Sequence, residues 1–267
     1  MMNKNMDNGK ILLIIFIISA TLLSAAQSVV TTALTPIMID LNITSTMVQW
    51  LYSSFLLVLG VMIPTTAFIA KRFKIKHILV VSLAIFTIAS FFDFIAPNFE
   101  ILLFARILQG IGCGILLPIT QIVIFKIIPK EKWQIYMGLF GFIIGVAPAL
   151  APTLGGIIID STGWRDIFLV FGVISLIMVI GSIFLVKYEF ETSDYSLDVL
   201  SLILCIVGCT GLLVGFSNIS GNGLDLVYVI LPIIVGIICI AIFTHRQKLL
   251  EHPLLRMNIM KNKPFVW

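Results

Sequence analysis

The sequence has few charged residues, and this scarcity excludes most classes of soluble protein. Aspartate, glutamate, lysine and arginine make up 11% of the 267 residues, whereas apolar residues make up 60%. A soluble domain has about a quarter charged residues. The charges lie in short stretches between long apolar runs, and the mean hydropathy is +1.14. We therefore predict an all-α polytopic membrane protein without a soluble domain.

Histidine and cysteine are also scarce, and this excludes several kinds of active site. The three histidines fall in loops, and no histidine has metal-ligand spacing with a cysteine. The apolar runs contain no paired aspartates, no His-Glu zinc spacing and no serine with a buried histidine. We expect no enzyme, no metal site and no disulfide, and we interpret the cysteines as small packing residues. The net charge of +4 requires no nucleic-acid partner, because membrane topology itself places cations in loops.

Eight apolar segments are long enough, at about 20 residues each, to cross a bilayer. The predicted spans are 11–34, 47–69, 78–96, 101–124, 134–158, 166–186, 197–217 and 226–244. With this assignment every lysine and arginine lies on one side except Arg106, within a span, and Arg165, in an opposite loop. The positive-inside rule then puts both termini in the cytoplasm. The first span has no convincing cleavage site, so we expect it to remain in the membrane.

Arg106 is the only basic residue within the body of a span. A guanidinium in a bilayer helix costs a few kcal/mol, so such residues are usually paired and functional. Gly110 and Gly114 stand four residues apart on the same helix, where they would let a neighbouring helix approach closely. A costly charge beside a thinned helix face indicates a packed bundle with a polar interior, as a transporter requires.

Four stretches occur in order along the chain, and together they are specific. They are 26–36 with 48–50, then 66–73, then 106–118, and finally 147–156 followed by Trp164-Arg165. The set resembles the major facilitator superfamily. More narrowly, it is similar to the fourteen-span drug:proton antiporters that include the lincomycin and multidrug exporters of Gram-positive bacteria. The resemblance extends over essentially the whole chain and implies an N-terminal six-helix bundle plus two additional transmembrane helices.

The resemblance also implies roles for particular residues. It implies that four residues of span four serve transport or proton coupling: Arg106, Gln109, Gly110 and Gly114. It implies that Lys71 and Arg72 belong to a gating loop, although a plain cytoplasmic helix end explains them as well. It implies that span five is the antiporter helix, which shapes export through Pro148, Pro152, Gly155 and Gly156; ordinary helix packing is the alternative. A substrate path would include Gln27, Gln49 and Trp50, which can also be interface residues.

The sequence departs from the family pattern at two positions where the family usually has an acidic residue. The first-helix motif usually has an acidic residue where this chain has Ala26, and the loop motif usually has an aspartate where it has Lys71. A proton-coupled exporter needs a carboxylate within the membrane. Asp93 is the single candidate in the first six spans, and it lies near the outer end of span three. We expect it to be a solvated helix end instead.

An acidic stretch divides the chain into two parts; it contains Glu189, Glu191, Asp194 and Asp198. We predict a six-span transporter half at 1–190, two additional helices at 191–250, and a cytoplasmic linker at 251–267 that leads to an absent second half. Fourteen spans need roughly 450 residues. The chain is thus expected to be an N-terminal portion, inactive alone unless it pairs with a second half-transporter or with itself.

The predicted function is multidrug or antibiotic efflux by proton antiport. The expected partners are a small amphipathic drug-like substrate, protons and the lipid bilayer of the plasma membrane, and no cofactor is required. The alternative is a non-transporting membrane fragment, or a half-subunit that assembles with a partner. The presence of a second six-span half would distinguish the exporter from the non-transporting alternative.

Overall fold

The computed structural model of the protein describes residues 2–186, 198–222 and 225–249. These ranges contain eight helices that are long and apolar enough to cross a membrane, which confirms the predicted all-α polytopic fold. The helices are α1 (Met2–Asp40), α2 (Ser45–Arg72), α3 (Ile75–Ile95), α4 (Phe99–Ile127), α5 (Trp133–Thr162), α6 (Arg165–Leu185), α7 (Val199–Asn222) and α8 (Leu231–Leu249). A 3₁₀ turn (Lys130–Lys132) precedes α5, and a π-helical turn (Leu226–Ile230) precedes α8.

The helix ends follow from local chemistry. Asn98 caps α4, because its side chain accepts a hydrogen bond of 3.1 Å from the backbone nitrogen of Ile101. Gly163 ends α5 with a φ of 109°, a conformation that glycine adopts without steric cost. Several predicted limits are too short: α1 continues beyond residue 34 to Asp40, α5 continues beyond residue 158 to Thr162, and α7 continues through Asn218, which was expected in a loop.

The described helices form two compact units. The first contains α1, α2 as far as Leu59, and α3 to α6; in it α3 packs against α4 and α6, and α1 packs against α4, α5 and α6. The second contains Gly60–Arg72 of α2 together with α7 and α8, which pack against each other. The predicted domain limits at 190 and 250 stay a prediction, and the predicted linker at 251–267 lies outside the described residues.

Asp198 connects the two full helices of the second unit, α7 and α8, at one end. Its carboxylate accepts hydrogen bonds of 2.9 and 3.0 Å from Arg246 on α8, and it also bonds Ser201 in the first turn of α7. The Arg246 guanidinium, with help from Ser201, holds the pKa of Asp198 at about 2. Asp198 therefore acts as a helix cap that joins α7 to α8. The other acidic residues of the predicted boundary lie outside the described residues.

Glycines set the closest helix contacts of the first unit. A Cβ at Gly155 on α5 would lie 2.5 Å from Val29 Cγ2 and 2.9 Å from Thr32 Oγ1, both on α1. A Cβ at Gly112 on α4 would lie 2.6 Å from the carbonyl oxygen of Ser82 on α3. A Cβ at Gly156 would meet no atom of the described residues within 4 Å. Helix α5 therefore approaches α1 through Gly155 and not through its neighbour.

Gly155→Ala is expected to destabilise the protein, and Gly156→Ala is the matched control. The added methyl at 155 meets Val29, whose branched side chain is stiff in a helix, so α1 and α5 must separate. Overpacking of this kind costs about 1–3 kcal/mol. Thermal unfolding of the purified protein in detergent should show a lower midpoint for Gly155→Ala than for Gly156→Ala. Equal midpoints would mean that this contact does not hold α1 against α5.

Candidate functional site

Arg106 lies on α4 in the interior of the first unit. Its relative exposure is 1%, and it is among the largest fully buried side chains of the described residues. Gln109, three residues later on the same face of the helix, is also 1% exposed. Helix α4 therefore contains a buried cation, whose role in transport stays a prediction.

The guanidinium of Arg106 contacts two helices. Its Nε donates a hydrogen bond of 3.4 Å to the carbonyl oxygen of Leu51 on α2, and its central carbon lies 4.5 Å from the centre of the Phe55 ring. Its Nη1 donates to Oε1 of Gln109 at 2.5 Å. This close approach of α2 depends on Gly110, where a Cβ would lie 3.0 Å from the carbonyl oxygen of Phe55. A carbonyl, an amide and an aromatic face thus replace the water that the cation has lost.

Gln109 extends the network to α3. Its Nε2 donates a hydrogen bond of 2.8 Å to Oγ of Ser90, which donates to the carbonyl oxygen of Phe86. One turn earlier on α3, the hydroxyls of Thr87 and of Ser175 on α6 are 2.8 Å apart. Polar side chains therefore connect α4, α3 and α6 through the interior of an otherwise apolar bundle. We call Arg106, Gln109, Ser90 and Asp93 the arginine cluster.

The expectation that Asp93 is a solvated helix end is wrong. Its relative exposure is 0%, because the end of α3 is covered by neighbouring helices. Within the described residues, neither carboxylate oxygen has a hydrogen-bond partner, and the same is true of Nη2 of Arg106. Asp93 and Nη2 of Arg106 are thus buried polar groups of the first unit without a hydrogen-bond partner in the described residues.

A second polar group closes the end of the first unit where α1 ends and α6 begins. Arg165 donates a hydrogen bond of 2.6 Å to Oδ2 of Asp40 and one of 3.3 Å to the carbonyl oxygen of Ala96. The indole nitrogen of Trp164 donates to the same Asp40 oxygen at 3.2 Å. This group, which we call the end clamp, ties α1, the end of α3 and α6 together. It belongs to the Trp164-Arg165 pair that the sequence analysis noted.

The remaining predicted site residues lie outside the arginine cluster. Gln49 is exposed and Gln27 and Trp50 are half-buried; none of the three bonds Arg106 in the described residues. Lys71 and Arg72 are exposed in the last turn of α2. Helix α5 contains Pro148 and Pro152 and continues through both, and Gly114 is buried in α4. The sequence analysis did not single out Gly112, whose close contact with α3 needs a structure to be seen.

Comparison with known proteins decides the family. The Major Facilitator Superfamily model matches residues 16–197, which include all of the arginine cluster and the end clamp. The chain belongs to the Major Facilitator Superfamily. The resemblance to drug exporters of this superfamily is supported by relatives that are named for lincomycin and multidrug resistance.

Two relatives come from Bacillus subtilis (strain 168). The Uncharacterized MFS-type transporter YcnB is 38% identical over 236 residues, which cover 87% of this chain and 49% of YcnB. The Lincomycin resistance protein LmrB is 32% identical over 243 residues, which cover 90% of this chain and 51% of LmrB. The chain thus spans about half the length of the curated relatives that it matches.

A solved structure supports the superfamily fold. The POT family transporter PepTSo aligns with a TM-score of 0.61 at 16% identity, covering 88% of this chain and 52% of PepTSo. At this low identity the likeness concerns the fold alone.

Asp40→Asn is expected to weaken the end clamp only slightly. The side chains of Arg165 and Asp40 are 37% and 46% exposed, so water and salt screen their attraction. We expect a loss of at most about 1 kcal/mol in unfolding free energy, and a smaller loss at high salt. Chemical unfolding at two salt concentrations measures this effect, with Asp160→Asn on the last turn of α5 as the control. A large, salt-independent loss would show that the clamp is a buried ion pair in the membrane-embedded protein.

Proposed function

We propose that this chain provides the first helix bundle of a proton-coupled exporter of small amphipathic compounds in the plasma membrane. The arginine cluster is the observation that supports this most strongly. A charged side chain buried between transmembrane helices is costly, and such residues usually mark a substrate or proton pathway. The named relative LmrB, a lincomycin resistance protein, favours an antibiotic-like substrate over other solutes.

The proposal assigns a role to each predicted group. Arg106 and Gln109 take part in coupling, while Gly110 and Gly114 allow the close helix packing around them. Lys71 and Arg72 at the end of α2 serve the gate on the cytoplasmic side. Helix α5 shapes the export pathway, with Gly155 held against α1 and with the prolines weakening its backbone hydrogen bonding. Both termini lie in the cytoplasm, as the distribution of lysine and arginine favours.

Transport requires a second wall for the substrate cavity. In alternating access one bundle moves against another around a shared site. Because the chain spans about half of LmrB, we propose that the other wall is a second half-transporter or a second copy of this chain. Without such a partner we expect no export.

A drug accumulation assay tests the proposal. Bacterial cells without their own major exporters would produce this chain alone, or this chain with the second half of LmrB as a separate polypeptide. Ethidium and lincomycin accumulation would be compared with cells that produce neither chain. We expect lower accumulation with the two halves together and no change with this chain alone.

Arg106→Ala and Lys130→Ala make the assay specific. Arg106→Ala removes the buried cation and should reduce the efflux rate about tenfold or more. This corresponds to an increase of about 1.4 kcal/mol or more in the activation free energy of transport. Lys130→Ala removes an exposed cation before α5 and should leave efflux unchanged. If every combination accumulates drug like the empty cells while both chains are present in the membrane, the export proposal is rejected.

A further inference from the structure

Two prolines leave helix α5 with backbone carbonyls that lack their usual hydrogen-bond donors. In an α-helix each carbonyl accepts a hydrogen bond from the N–H four residues later, and proline has no N–H. Pro148 therefore takes the usual donor away from the carbonyl of Ile144, and Pro152 takes it away from the carbonyl of Pro148. In a membrane helix, such carbonyls are satisfied by side chains of neighbouring helices or by local adjustment of the backbone.

Ser24 on α1 replaces the donor that Pro148 cannot provide. Its side chain is buried, and its hydroxyl donates a hydrogen bond of 3.3 Å to the carbonyl oxygen of Ile144. The oxygen that Pro148 leaves without a donor is thus the oxygen that Ser24 reaches. The bond is longer than the usual ~2.8 Å of a hydroxyl donor, so it is weak and can be broken at little cost. We call this hydrogen bond between Ser24 and Ile144 the α5 latch.

The packing of α5 differs on the two sides of Pro148. After it, Ala151 and Gly155 are buried, and the close approach of Gly155 to Val29 fixes this part of the helix to α1. Before it, Phe140 is the only buried residue of α5. Three glycines of this first part would meet no atom of the described residues within 4 Å if they carried a Cβ: Gly138, Gly141 and Gly145. The first part of α5, residues 133–147, therefore depends more on the latch than the second part does.

The same chemistry occurs in the second unit, where close packing surrounds it. Pro232 on α8 has no N–H for the carbonyl of Tyr228, and Nδ2 of Asn218 on α7 donates to that oxygen at 3.3 Å. There a Cβ at Gly215 would lie 2.5 Å from Cγ1 of Ile233, so α7 and α8 are held together whether or not the side-chain bond is made. The α5 latch has no such support on its side of the proline, so its opening would change the direction of the helix.

We propose that Ser24 is a positioning residue that sets the direction of the first part of α5. With the latch closed, residues 133–147 keep the direction seen in the structure. With the latch open, α5 bends at Pro148, because neither a side chain nor a backbone N–H then holds the carbonyl of Ile144. The inference rests on the proposed function and deepens it, since it names the contact through which α5 would shape the export pathway.

Distances between spin labels test the latch without transport. The purified chain in lipid vesicles, with its four cysteines replaced by alanine, would be labelled at two exposed positions, Ile14 on α1 and Ile135 on α5. Double electron–electron resonance measures the distance between the labels. Ile135 lies about 20 Å from Pro148 along the helix, so a bend of about 20° moves it by about 7 Å. A second pair, at exposed Ile39 and Ile157, reports on the part of α5 after the proline.

Ser24→Ala should shift or broaden the distance of the first pair by several ångströms and leave the second pair unchanged. Ser19→Ala is the matched control, because Ser19 is buried on the same helix and its hydroxyl has no hydrogen-bond partner in the described residues. It should change neither distance. Pro148→Ala restores the backbone N–H, so Ser24→Ala should have no effect in that background. If Ser24 served only to fill space, its replacement would have the same effect in both backgrounds.

Each result supports the latch or overturns it. An unchanged first distance in Ser24→Ala overturns it, and so does an equal change with and without Pro148→Ala. A change in both distances means that α5 moves as one body, which overturns the bend at Pro148. Alanine suits a helix interior, so we expect the variants to fold, and circular dichroism checks this. Because the measurement uses no substrate and no second half, a failure of export leaves the latch result intact, and a failure of the latch leaves the export result intact.

Discussion

The burial of one guanidinium is the constraint on which the packing of the first unit depends. Arg106 cannot remain among apolar helices unless acceptors replace water, and these come from the Leu51 carbonyl, the Phe55 ring and Gln109. For α2 to deliver its carbonyl, α4 must have no side chain at Gly110. For Gln109 to reach Ser90, α3 must lie against α4. The close helix contacts and the polar site therefore have a common cause.

The sequence predicts those features of the site whose free-energy cost depends on a single helix. A charge in an apolar span is costly wherever its neighbours lie, so Arg106 could be identified without a structure. The burial of Asp93 could not be predicted, because its position two residues before the end of α3 is compatible with solvent or with burial. In the structure α4 and α6 pack against α3, and Asp93 is buried. Gly155 and Gly156 are a similar case. Successive residues of a helix point about 100° apart, and the sequence does not show which of the two glycines faces α1.

The two polar groups of the first unit differ in what their rearrangement would cost. The end clamp joins partly exposed groups that water can solvate separately, so breaking it costs little. The arginine cluster is buried and incompletely bonded in the described residues, because Nη2 of Arg106 and both carboxylate oxygens of Asp93 have no hydrogen-bond partner. In a low dielectric, the free energy of such a network changes strongly when one proton or one hydrogen bond is exchanged. The clamp and the cluster therefore differ in how strongly a change of bonding would affect the bundle.

A buried polar cluster in one bundle is not yet coupled transport. A substrate can shift a conformational equilibrium only if it binds one conformation more tightly than the other, and the proton must do the same in return. The arginine cluster belongs to α3 and α4, which lie in the same helix unit. Movement of a substrate by alternating access requires an opposite wall as well, because one bundle moves against another around a shared site.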